Sequence, residues 1–207
     1  MKGISSSSYS TNIFGCSIKG PAHKKSGSPC QDAWAGTECL DSRFVIAVAD
    51  GLGSASHSHE GSYLATKTSV DIAKTYLENE DHINQNKAKS ILREAFQKSR
   101  QVITDRANEI KVSKSAFNTT LLTAVATSSA VAGAAVGDGG IVVRQKAKNS
   151  LLIPREKTEY INETTPVQSN NWENHYRFGY QTDVDAVAVF SDGLDPFVWS
   201  LTSKKNV

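Results

Sequence analysis

The sequence predicts a layered α+β domain in which helices pack on the faces of antiparallel sheet. Three observations carry this expectation: short strand-like runs ahead of residue 50, two successive helical apolar periodicities between residues 60 and 110, and a return after residue 118 to Leu, Val, Ala and Thr runs joined by tight turns. The chain has 207 residues, of which 39% are hydrophobic and 21% charged, so it has the composition and size of one globular unit, expected to span residues 1–207. Twenty-three basic residues against 21 acidic ones leave a net charge of +2, too balanced for a nucleic-acid or anionic-membrane footprint. Function must reside in local motifs.

Asn12 to Ile18 and Phe44 to Ala49 are β-branched or apolar runs that end in turn residues and read as strands, with a Ser, Lys and Pro loop, Lys19 to Pro29, between them. From Glu60 to Glu78, Tyr63, Val70, Ala73 and Leu77 fall on one helical face. Ala88, Ile91, Leu92, Ala95, Phe96, Val102 and Ile103 form the apolar face of a second helix that reaches about Ile110. Thr119 to Thr127, Ala130 to Val136, Ile141 to Gln145 and Val184 to Phe190 follow as antiparallel strands. Lys146 to Thr182 carries Pro154, Pro166, Asn170 and Asn171 and reads as short strands around a polar excursion. The most apolar stretch, Leu121 to Val136, is broken by Thr127-Ser128-Ser129 and is too polar for a membrane span. Cys16, Cys30 and Cys39 form neither a metal knuckle nor an even disulfide framework, so a reducing cytoplasm is the expected location.

Chemistry concentrates at strand ends. The apolar run Phe44 to Ala49 stops at Asp50-Gly51, Ala130 to Val136 stops at Gly137-Asp138-Gly139, and Val184 to Phe190 stops at Ser191-Asp192-Gly193. A fourth carboxylate, Asp32, precedes another apolar patch. Asp-Gly is common turn chemistry. Three strand-terminal copies in one chain favour a hard divalent-cation site, which needs oxygen ligands converging from separate elements.

The ordered blocks PCQDA (Pro29 to Ala33), VADGLGS (Val48 to Ser54), NTTLLTAV (Asn118 to Val125), VGDGG (Val136 to Gly140) and FSDGL (Phe190 to Leu194) resemble the protein phosphatase 2C family, the metal-dependent Ser/Thr protein phosphatases, and especially its bacterial branch. EYINET, Glu159 to Thr164, looks like a segment of the same branch. The resemblance implies a sandwich of two antiparallel sheets flanked by antiparallel helix pairs. It also implies a pair of Mg²⁺ or Mn²⁺ ions, with a third, weaker site, and a metal-activated water that attacks phosphorus. By resemblance Asp50 would bridge both metals, the Gly51 carbonyl would bind one and Asp192 the other, Asp32 would orient the water, and Asp138 would hold the third metal with Asp192. The implied partners are a phosphorylated protein substrate and a cognate Ser/Thr kinase.

Departures from the family pattern are specific. Gln31 stands where an acidic residue is common, and Leu52 where some members carry a histidine, a proton donor that leucine cannot replace. His57 and His59 are expected at an exposed helix start capped by Ser56 or Ser58. His23, Lys24 and Lys25 stand where other members present an arginine to the phosphate. Ser200 to Val207 contains no Asp or Glu, whereas the family continues to a strand bearing a further metal ligand. The expectation is a C-terminally incomplete, weakly active site, and the competing reading is a pseudophosphatase or phosphoprotein-binding module. A nucleotide-binding P-loop and a G-x-S-x-G nucleophile are both absent from the sequence.

Overall fold

The computed structural model describes residues 11–80, 83–154, 164–194 and 198. In chain order the elements are α1 (Pro21–Ser26), β1 (Asp32–Glu38), β2 (Phe44–Asp50), α2 (Ser58–Asn79), α3 (Gln85–Glu109), β3 (Leu121–Ala126), β4 (Ala130–Val136), β5 (Gly140–Gln145), β6 (Lys148–Ile153), α4 (Trp172–His175), β7 (Arg177–Thr182) and β8 (Ala186–Phe190). They build a five-stranded sheet of order β1-β2-β3-β4-β7 and a three-stranded sheet of order β6-β5-β8. Every strand pair is antiparallel.

Two apolar clusters set the layers. Val45, Ala47, Leu121, Ala132 and Ala134 point to one face of the large sheet and pack with Val70, Leu77, Ile91, Leu92 and Phe96 of α2 and α3. Leu122, Ala124, Val131 and Ala135 point to the other face and pack with Ile141, Val143 and Ile153 of the small sheet. β3 and β4 are buried along their whole length. Strands covered on both faces read as near-continuous apolar runs, which explains why their sequences do not alternate.

α2 and α3 form an antiparallel hairpin, clamped at one end by Glu60–Arg106 (2.6 Å) and at the other by the Tyr76 hydroxyl, which donates to Glu94 (2.6 Å). α2 has no basic residue in its last turn. Arg43, from the β1–β2 turn, instead donates to the carbonyls of Leu77 (2.7 Å) and Glu80 (2.6 Å), pairing acceptors that a helix end leaves unsatisfied.

The layered α+β sandwich agrees with the expectation, and so do the two long helices and the strands after residue 118. Five details differ. Asn12 to Ile18 is not a strand: it lies against β1 without joining a ladder, with Gly15 on the Trp34 ring and Phe14 and Ile18 exposed. The ladder partner of β2 is β1, and the supposed loop after Lys19 contains α1. Tyr63 is 58% exposed, because the buried face of the first half of α2 is made of Gly61, Ser62, Ala65, Thr66 and Ser69, small residues that let the helix sit close to the sheet. Val102 likewise faces outward, while Ser99 is buried and donates to the Ala65 carbonyl (3.0 Å). Finally, one helix pair flanks the sandwich among the described residues, on the large sheet only. Apart from Thr164, the segment Glu159 to Thr164 lies outside the described residues.

Gly61 tests this close packing. Alanine is better than glycine in a helix by about 0.8–1.0 kcal/mol. A Cβ at Gly61, however, would lie 2.2 Å from the Phe117 carbonyl oxygen. Overpacking costs about 1–3 kcal/mol, so Gly61→Ala is expected to destabilise the protein by about 1–2 kcal/mol in urea unfolding. A midpoint equal to or above that of the unmodified chain would contradict the contact.

Candidate metal centre

The site begins with strand register. β1 starts and β2 ends at the same end of their pair, so Asp32 and Asp50 are direct cross-strand partners whose side chains share one face. The start of β3 holds the Asp50 backbone: the Asp50 N–H donates to Thr120 Oγ1 (2.8 Å), and the Asp50 carbonyl accepts from the Thr120 N–H (2.8 Å) and from Thr119 Oγ1 (2.8 Å). Beyond it, the Gly51 N–H donates to the Gln31 carbonyl (3.1 Å) and the Leu52 N–H to the Asn118 carbonyl (2.9 Å). A Cβ on Gly51 would lie 2.7 Å from the Ser58 carbonyl oxygen, so only glycine lets this loop pass under the start of α2.

The small sheet supplies the other two carboxylates. β8 ends at Phe190, opposite Gly140 of β5, and Asp192 opens the 3₁₀ turn Asp192–Leu194. Asp138 lies in the β4–β5 turn, next to Gly137 with φ of +108°, a conformation that side chains rarely adopt. A Cβ there would also come within 2.4 Å of Thr120 Cγ2, so this turn is pressed onto the threonine that holds Asp50. Arg177 of β7 donates to the Gly137 carbonyl, and the Thr164 hydroxyl donates to Asp138 Oδ2.

The four carboxylates act on one another. The Asp50 side chain is hydrogen-bonded to those of Asp32 and Asp192 and feels the charge of Asp138. Burial, followed by the charges of Asp32 and Asp192, the hydrogen bond to Asp192 and the charge of Asp138, pushes the Asp50 carboxyl up to about 8. Asp32 is also raised, chiefly by burial and further by Asp192, against the opposing effects of its hydrogen bond to Asp50 and of nearby His23. Both shifts describe carboxyls that burial, and then their carboxylate neighbours, disfavour as anions.

Among the described residues, no three His, Cys, Asp or Glu side chains form a ready-made metal-binding group; the carboxylates are hydrogen-bonded to each other instead. Their chemistry nonetheless fits a hard divalent cation, because the donors are anionic oxygens arriving from four separate segments and their repulsion is what such an ion relieves.

The sequence-predicted site residues divide accordingly. Asp32, Asp50, Asp138 and Asp192 come together, with Gly51 in the loop beside them. His23 acts on Asp32 from α1, whereas Lys24 and Lys25 are exposed in the last turn of that helix. His57 departs from expectation: its ring stacks on Phe117 at 5.2 Å and neither Ser56 nor Ser58 caps α2, where His57 itself is the cap residue without a side-chain bond. His59 is exposed. Sequence reasoning missed Thr119, Thr120, Thr164 and Arg177 as supports. Thr119-Thr120 lies inside the NTTLLTAV block and Thr164 ends the EYINET segment; Arg177 carries no local signal.

The Protein phosphatase 2C family model matches residues 19–206. No curated protein matches the sequence. Among solved structures, a bacterial serine phosphatase is similar at 19% identity with a TM-score of 0.62, covering 86% of this chain and 80% of that one. The Ser/Thr phosphatase Stp1 from Staphylococcus aureus is similar at 18% identity and a TM-score of 0.57, covering 83% and 74%. RsbX, crystallised in complex with magnesium, is similar at 17% identity and a TM-score of 0.51, covering 81% and 68%. These likenesses establish the sandwich fold, and the family match extends over nearly the whole chain: it belongs to the protein phosphatase 2C family, the metal-dependent Ser/Thr phosphoprotein phosphatases.

Proposed function

We propose that this chain removes phosphate from phosphoserine and phosphothreonine in cytoplasmic proteins, opposite a cognate Ser/Thr kinase, using two Mg²⁺ or Mn²⁺ ions and a third, weaker one. The observation that carries the reading is the cluster of Asp32, Asp50, Asp138 and Asp192, with Asp50 pushed up to about 8. The magnesium in the RsbX structure supports the choice of cation. Asp50, Asp192 and the Gly51 carbonyl are the proposed ligands of the principal pair, and Asp138 with Asp192 those of the third. When bound, such ions stabilise charge growing on a phosphoryl group and make water more acidic.

The protein's own groups do the rest. Asp32 accepts a hydrogen bond from the attacking water and sets its direction, which its position opposite Asp50 suits. Thr119 and Thr120 keep the Asp50 backbone from following its side chain. His23, Lys24 and Lys25, in the last turn of α1, offer hydrogen-bond donors to the phosphoryl oxygens. No side-chain nucleophile is required.

Hydrolysis of p-nitrophenyl phosphate with Mn²⁺ tests the reaction. Asp50→Asn is expected to lower turnover by at least about a hundredfold while leaving the circular dichroism spectrum unchanged. Turnover equal to that of the unmodified chain would remove Asp50 from the site.

The raised carboxyl also makes metal-free stability depend on pH. Asp50 ordinarily titrates near 3.8 and near about 8 when folded, so between those values the folded chain holds more protons than the unfolded one. Stability contributed by the protonated carboxyl is fully present at low pH and is lost as pH rises toward about 8. The thermal midpoint in EDTA is therefore expected to fall between pH 5 and pH 8, less steeply in Asp50→Asn. Mn²⁺ is expected to raise the midpoint more at pH 8 than at pH 5, and an equal shift at both would argue against binding at these carboxylates.

A further inference from the structure

A cleft of about 250 Å³ is lined by Lys114, Ser115, Asn118, Pro166, Gln168 and Asn170 among others, and Asn118 directly precedes the Thr119-Thr120 pair that holds the Asp50 backbone. It is smaller than the roughly 300–1,000 Å³ typical of drug-sized ligand sites, a size suited to one polar side chain. Its connection to the Asp50 backbone runs through one peptide bond and short hydrogen bonds. Asn118 accepts the Leu52 N–H at 2.9 Å; the next residue, Thr119, donates its hydroxyl to the Asp50 carbonyl (2.8 Å) and its N–H to Gln168 Oε1 (3.1 Å). The lining thus begins one residue, about 3.8 Å of chain, from the group that holds Asp50.

The lining asks for an anion. None of its residues is acidic, and Lys114 is its cation. Lys114 Nζ is bonded to a neutral acceptor, the Asn170 amide oxygen (2.7 Å). Gln168 is 3% exposed, and among the described residues nothing accepts from its buried Nε2. Arg100 stiffens the wall by donating to the carbonyls of Val167 and Ser169 (2.9 Å for the latter) while stacking on Trp172. Glu173, which acts on Arg100 through space, is paired with Arg93 at 2.5 Å.

We infer that this cleft is a substrate subsite that takes the carboxylate of an Asp or Glu flanking the phosphorylated residue, an inference that rests on the phosphatase reading. A carboxylate supplies one oxygen for Lys114 Nζ and one for the Gln168 amide, which lacks an acceptor. An extended peptide advances about 3.3–3.6 Å per residue, so an acid one to four positions from the phosphoresidue reaches about 3–14 Å from it, the range the test scans.

The test is fluorescence-anisotropy binding, with Mn²⁺ present, of peptides carrying a non-hydrolysable phosphonate in place of phosphothreonine. Each peptide has a single Glu one to four positions to either side, and each is compared with its Gln counterpart. At one position the Glu peptide is expected to bind about three- to tenfold tighter. Lys114→Glu is expected to erase or reverse that preference and Lys114→Arg to keep it, with Lys114→Gln deciding the matter if the Glu variant has a lowered thermal midpoint. Equal affinity for Glu and Gln at every position, a Glu preference that survives both Lys114→Glu and Lys114→Gln, or no peptide binding at all would overturn the inference. Hydrolysis of p-nitrophenyl phosphate by the unmodified chain judges the catalytic reading separately: a Glu preference without turnover would sink catalysis and leave the subsite standing.

Discussion

The structure turns on one unfavourable contact: two aspartates, Asp32 and Asp50, placed directly opposite each other on neighbouring antiparallel strands. Like charges in that position destabilise a sheet, and partial burial removes the water that would screen them. The pair is tolerable only at the end of the ladder, where the strands open to a mouth, and only if the backbone beneath is held firmly. The three hydrogen bonds between Thr119 or Thr120 and the Asp50 backbone do this, and Gly51 lets the start of α2 close over the loop. Scaffold that would be over-built for an ordinary turn is proportionate to the repulsion it opposes.

The same constraint explains why the two sheets are of such unequal character. β4 reads Ala-Val-Ala-Gly-Ala-Ala-Val, nearly without bulk, so β5 and β8 can lie close to the large sheet. At Gly133 a Cβ would meet Ile141 at 2.8 Å, which shows how little space separates the layers. Close layers bring Asp138 and Asp192 to the mouth where Asp32 and Asp50 already lie. The helix pair, on the opposite face, contributes through the first turn of α2 against Gly51 and otherwise supplies burial.

What the sequence made legible follows from this division. The strand-terminal Asp-Gly pairs stood out because a carboxylate ending an apolar run is rarely a core feature, and the structure gathers those carboxylates. Continuous apolar runs located β3 and β4 because burial on both faces removes alternation. Asn12 to Ile18 misled because a β-branched run has strand propensity whether or not a partner strand is available, and here Trp34 takes the space beside Gly15. Tyr63 misled for the opposite reason: apolar periodicity tracks large side chains, while the contact face of α2 is built from glycine, alanine and hydroxyl residues. Gln168 and Arg177 were invisible because their roles depend on carbonyls and amides far along the chain.

The placement of the histidines completes the electrostatic account. Leu52, beside the cluster, moves no proton, and His57 is committed to Phe117 by ring stacking. The imidazole that does act on the carboxylates is His23, carried by α1, and its effect is to favour the ionised form of Asp32. The hydrogen bond with Asp50 and the nearby His23 both oppose the effects of burial and Asp192 on Asp32, so the two partners of the strand pair are driven unequally: both are raised, but Asp50 feels three carboxylates and burial, whereas two neighbours favour the ionised form of Asp32. An asymmetric carboxylate pair of this kind fits the proposed division of roles, in which a cation would relieve Asp50 and Asp32 would accept a hydrogen bond from water.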